Sequence, residues 1–155
     1  MNARSEPDPR VASDVARFKS VRARMIALVE GLSAEDLSAQ SMADCSPGKW
    51  HLAHTSWFFE AMILSSDPEY QPVDPRFQQL FNSYYEALGE RVRRDQRGLM
   101  TRPSVDEVLA YRREIDRRMV AWLAQGETSG HQRYLFELGL HLSLIHISEP
   151  TRRYA

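Results

Sequence analysis

Two histidines three residues apart, His51 and His54, lie in the most aromatic stretch of the chain, Trp50-His51-Leu52-Ala53-His54-Thr55-Ser56-Trp57-Phe58-Phe59-Glu60. Residues three apart on a helix share a side, so both imidazoles could approach one site. Trp50, Trp57 and Phe58 flank His54 at helical spacing and turn it inward. A buried imidazole needs a partner for each ring nitrogen, and a backbone carbonyl, a tyrosine or a metal ion can serve. Spacing alone leaves these open, because a metal site takes three or four ligands. His141 and His146 are five apart and diverge by about 140° around a helix, too far to share one ion. A histidine at position 142 would pair with His146 at i, i+4, but that residue is Leu142.

A second constellation is basic. Arg91, Arg93, Arg94 and Arg97 follow the aromatic pair Tyr84-Tyr85. They read either as a solvated connection or as guanidinium forks for a carboxylate. Cys45 precedes a helix start, where a thiol pKa can fall, yet no catalytic partner adjoins it.

Helices must carry these groups. Val15, Phe18, Val21, Met25, Val29 and Leu32 recur at three and four, an amphipathic pattern. Ser46-Pro47 predicts a second helix, with Ser as N-cap and Pro at its first position. That helix sets Trp50, Ala53, His54, Trp57, Ala61 and Leu64 on one face. Residues 66–75, rich in proline, form a loop, and 77–88 a shorter third helix. Residues 91–103 connect to the clearest helix, opened by the capping box Ser104-Val105-Asp106-Glu107. Val108, Ile115, Met119 and Trp122 line one of its faces, while Arg113, Glu114, Arg117 and Arg118 decorate the others. After a turn at 126–130 a last helix begins near Gln132. Period-two alternation is absent, so the fold is expected to be all-α, an up-and-down four-helix bundle.

Composition bounds the rest. The 155 residues fit one domain, and 43% hydrophobic content supplies a core. With 20 basic and 21 acidic side chains, the net charge of −1 argues against nucleic-acid binding through bulk charge. One cysteine excludes an intrachain disulfide, and no apolar run reaches the ~20 residues of a membrane span. A cytoplasmic protein that binds neither membrane nor nucleic acid is expected.

Several strings go beyond spacing. Residues 46–60 are joined by Phe81-Asn82-Ser83-Tyr84-Tyr85-Glu86-Ala87-Leu88-Gly89, Arg97-Gly98-Leu99-Met100-Thr101-Arg102-Pro103-Ser104, Tyr111-Arg112 and Glu137-Leu138-Gly139-Leu140-His141, in order. Together they resemble the N-terminal DinB-like domain of the ergothioneine-biosynthesis sulfoxide synthases, from about residue 10 to 141. The resemblance implies a DinB-like bundle from an enzyme that uses Fe(II) and O2. Its reaction joins the sulfur of cysteine or γ-glutamylcysteine to Nα-trimethylhistidine. It implies His54 as one of three iron-binding histidines, with the others at positions 142 and 146. Arg94 and Arg97 match the arginine pair that holds the carboxylates of the thiol substrate.

The match breaks at Leu142, leaving His146 as a doubtful second ligand and Ile145 where the family has a glutamine. Residues 142–155 have no counterpart in the family and read as an aberrant tail on a truncated gene, with Pro150 fraying the end. Residues 1–9 are expected to be disordered. The chain is thus expected to be an inactive fragment without the family's second, formylglycine-generating-enzyme-like domain. Two alternatives stay open. One is a stand-alone DinB-type metal-dependent thiol transferase or stress protein, and the other a non-enzymatic helical interaction module.

Overall fold

The computed structural model describes residues 8–83, 92–126 and 128–152, with side chains as far as 145. Among them the chain is helical: α1 (Pro9–Val29), α2 (Ala34–Ser38), α3 (Gly48–Met62), α4 (Phe77–Leu80), α5 (Val105–Ala124) and α6 (Gly130–Arg152). Two 3-10 segments, Leu64–Ser66 and Arg94–Leu99, lie in the connection between α3 and α5. The fold is all-α, as expected, and no helix among the described residues is long and apolar enough to cross a membrane.

The four long helices α1, α3, α5 and α6 form the bundle. α5 and α6 each pack against both α1 and α3. Side-chain pairs fix their directions. Asp14 meets Arg133 and Arg17 meets Glu137, so α1 and α6 run parallel. Arg22 meets Asp116, while Arg112 donates to the Arg22 carbonyl and reaches Met25, so α1 and α5 run antiparallel. Leu52 and Thr55 meet Arg112, and the further-on Leu64 shares a surface hollow with Arg118, so α3 and α5 run parallel. The order is therefore up-down-down-up, and the strict alternation of an up-and-down bundle is corrected. Two successive parallel helices require a return over the full length of the bundle, which residues 63–104 supply.

α3 is the central element. Every residue from Leu52 to Glu60 is buried, so a one-sided pattern gives way to burial all round. Phe18 of α1 meets Phe59 edge-on at 5.2 Å across the core, and Phe136 of α6 lies 6.5 Å from Phe18. α6 approaches α3 at Gly139. A Cβ there would stand 2.5 Å from Phe59 Cε1 and 3.1 Å from Phe58 Cδ1, so only glycine fits.

Capping sets several ends. Asp8 caps α1 through Arg10 N at 2.8 Å with Pro9 in its first turn, so these two residues leave the expected disordered segment. Leu32 falls beyond α1 and is half exposed, while Asp14 and Arg22 take buried places on that helix. The Ser104–Glu107 box caps α5 as expected. Ser46 does not cap α3. Pro47 takes that position without a side-chain bond, and Ser46 is used elsewhere. Of the third predicted helix, Phe77–Leu80 is helical and 84–88 lies outside the described residues. α6 starts at Gly130 and continues through Pro150 to Arg152 rather than fraying. Proline there forfeits one bond, to the carbonyl four residues back, close to the helix end.

Candidate functional site

Trp50 and His54 lie one turn apart on α3, and both rings point toward the end of α4. The last carbonyls of a helix have no intrahelical donor. Two successive carbonyls here receive side chains instead. Trp50 Nε1 donates to Leu80 O at 3.2 Å, and His54 Nδ1 lies 2.6 Å from Phe81 O. A carbonyl only accepts, so Nδ1 carries the proton, and in the neutral ring Nε2 keeps its lone pair. Metal-bound imidazoles commonly have this arrangement, with one nitrogen tied to a carbonyl and the other a base.

Stacking fixes the ring plane. His54 lies parallel to Trp50 at 4.4 Å and 14°, and to Trp57 at 5.6 Å and 16°. The Arg97 guanidinium lies over Trp50, its Cζ 3.5 Å from the ring centroid. Arg97, Trp50, His54 and Trp57 thus form one continuous stack. Arg97 is buried, and its Nη1 donates to Ser46 Oγ at 2.7 Å.

Arg94 is exposed, and its carbonyl accepts from Gln40 Nε2 at 2.6 Å. Arg94 and Arg97 line the same concavity of about 480 Å³, with Asp44, Ser83, Arg93 and Asp95. Arg93 is engaged with Asp95 at 3.0 Å. The structure therefore brings both sequence-predicted arginines to one hollow and links one of them to His54 through Trp50. Arg91 lies outside the described residues. Cys45 is half-buried beside this region and pairs in a tight turn with Met42.

The opposite wall differs. Gly139 sits against Phe58 and Phe59 in antiparallel helices, so one turn from that crossing brings residues 142–143 level with His54. Leu142 there is half-buried against the core, and the buried Ser143 donates back to Gly139 O at 3.0 Å. His141 is exposed, and the His146 side chain lies outside the described set. His51 is half-buried and meets Trp50 edge-on at 5.5 Å, whereas His54 lies flat against it. Among the described residues no group of three or more His, Cys, Asp or Glu could hold a metal ion. With Leu142 at one of its three positions, the chain does not supply the full three-histidine iron set that the resemblance implies.

Sequence reasoning missed two buried polar clusters behind the site. Arg112 Nη1 donates to Leu52 O at 2.8 Å and Thr55 Oγ1 at 3.0 Å, on either side of His54 along α3. Burial pushes the Arg112 pKa well below the usual guanidinium range, and nearby Arg22 adds to the effect. Arg22 bonds Asp116 Oδ1 at 2.6 Å and Ser56 Oγ at 2.5 Å. The buried Glu60 accepts from Tyr70 OH at 2.9 Å, from Val73 N at 2.8 Å and from Tyr111 OH. Burial first, and then the Glu60 charge, raise the Tyr111 pKa. The signal for Arg112 was present: it stands four residues after Val108 and three before Ile115, on the buried face.

Residues 17–144 match the DinB superfamily. No curated protein matches the chain.

Proposed function

The chain belongs to the DinB superfamily, and on that footing we propose that it is the N-terminal helical domain of a sulfoxide synthase of ergothioneine biosynthesis. The parent reaction uses non-haem Fe(II) and O2 to join a cysteine or γ-glutamylcysteine sulfur to Nα-trimethylhistidine. One observation carries this reading: the stack of Arg97, Trp50, His54 and Trp57 ties a lone-pair-bearing imidazole to an arginine-lined hollow. Arg94 and Arg97 bind the carboxylates of the thiol substrate, and among the described residues His54 is the histidine held for a metal. Because Leu142 stands where the resemblance implies a histidine, the chain by itself holds Fe(II) weakly and turns nothing over.

The test is anaerobic Fe(II) titration of the chain and of His54→Ala, followed by aerobic incubation with both substrates and mass spectrometry. Weak metal uptake that falls further in His54→Ala, with no sulfoxide, is the expected result. Sulfoxide from the pure chain would overturn its inactivity. A His54→Ala variant that loses stability but keeps its metal content would make His54 a core residue only. A second reading is a stand-alone DinB-type metal-dependent thiol transferase or stress protein. Tight one-to-one metal uptake by the chain would favour that alternative.

A further inference from the structure

We infer that Gln40 is a positioning residue, whose carboxamide holds the Arg94–Leu99 turn in the shape that lets Arg94 and Arg97 take a carboxylate-bearing small molecule together. The inference rests on the reading of the arginine-lined hollow as an anion site. Residues three apart in a 3-10 helix eclipse one another, so Arg94 and Arg97 share a side only while that conformation lasts. Short 3-10 segments have poor internal hydrogen bonds and need outside support.

Gln40 supplies it at both ends. Its Nε2 donates to Arg94 O at 2.6 Å, and its Oε1 accepts from Gly98 N at 2.7 Å. A neutral carboxamide offers a donor and an acceptor on one plane, which few side chains do. The fit is close: a Cβ on Gly98 would lie 2.6 Å from Gln40 Cβ and 2.8 Å from its Oε1. Two neighbours finish the hold. Ser46 accepts from the Arg97 guanidinium at 2.7 Å, and Lys49 Nζ donates to Met100 O at 2.9 Å, just past the turn. The segment before α3 thus shapes the segment before α5, although Gln40 itself bears no charge for the ligand.

The experiment titrates the 15N-labelled full chain with γ-glutamylcysteine and, separately, with cysteamine, a thiol without a carboxylate. Binding is followed at the Arg94 and Arg97 amides. In the wild-type chain only γ-glutamylcysteine is expected to shift these signals. Gln40→Met keeps the bulk and removes both bonds, and is expected to weaken binding by about fivefold or more while signals from the bundle stay in place. Gln40→Asn keeps the chemistry but shortens the reach, and serves if Gln40→Met disturbs folding; the same loss is expected. Unchanged affinity in the folded Gln40 variant, with binding abolished in Arg94→Ala, overturns the inference and leaves the arginine site standing. Equal response to cysteamine, or no response in the wild-type chain, overturns both.

Discussion

α3 and α6 face each other across one core, yet they are built on different terms. The buried polar residues of α3 reach other elements: His54 to Phe81, Ser56 to Arg22, Thr55 to Arg112, and Glu60 to the loop at Tyr70 and Val73, although the Thr55 and Ser56 hydroxyls also donate back within α3. At the level of His54, α6 offers Leu142 and a serine whose hydroxyl returns to its own helix. Its charged fastening to α1 pairs the exposed Arg17 with Glu137 at 2.7 Å and Arg133 with the buried Asp14. One wall carries most of the buried polar contacts, and the other mainly completes the packing.

The largest effect should come from the α3 side. Glu60→Ala strands two tyrosine hydroxyls and the Val73 N–H inside the protein, and should cost about 3–5 kcal/mol in urea unfolding. Ser143→Ala on α6 should cost under ~1 kcal/mol, because it only removes a bond within one helix. Equal costs would end the contrast. Next comes the missing donor. Leu142→His places an imidazole level with His54 and should tighten Fe(II) binding at least about tenfold, or about 1.4 kcal/mol. Calorimetric titration measures this, and His54→Ala in the same background should cancel the gain. No gain would mean that the two positions do not face one site.

The smallest effect concerns the surface ions. Hydrogen bonding from Arg17 lowers the Glu137 pKa below its ordinary 4.5, with the charges of Arg17 and Arg133 adding to it. A carboxyl lowered on folding contributes stability that is present above its ordinary pKa and lost as the pH falls below it. The pairs are more than a third exposed, so Glu137→Gln should cost less than ~1 kcal/mol at pH 7. That gap should close in acid below the ordinary value, or at about 1 M salt. A gap that persists in acid would mean that Glu137 contributes through something other than its charge.

The long helices were legible because their apolar spacing and the Ser104–Glu107 box are local signals. α2 was not, although Ser33 and Asp36 form a capping box, because five residues are too few to show a period. His54 was legible as an inward imidazole, but its partner was not: Phe81 lies 27 residues on and contributes a backbone atom. Ser46 was misread as a cap since its type suits one, while the Arg97 guanidinium is its partner. The spacing of Arg112 placed it on the buried face of α5, but its partners were not legible. Burial of an arginine depends on acceptors brought from α1 and α3, and no pattern within α5 reveals them.

The up-down-down-up order also bears on how the chain is made. α1 emerges first and touches α3 through Phe18 and Met25, yet its larger partners are α5 and α6, and Asp14 finds Arg133 across 119 residues. During synthesis α1 therefore waits with Phe18 and Met25 only partly covered until α5 and α6 have been released. Contacts this distant slow folding, because loop closure precedes any reward. α3 and α5 can associate earlier, through the Arg112 bonds to Leu52 and Thr55, and present the surface onto which the N-terminal helix finally closes.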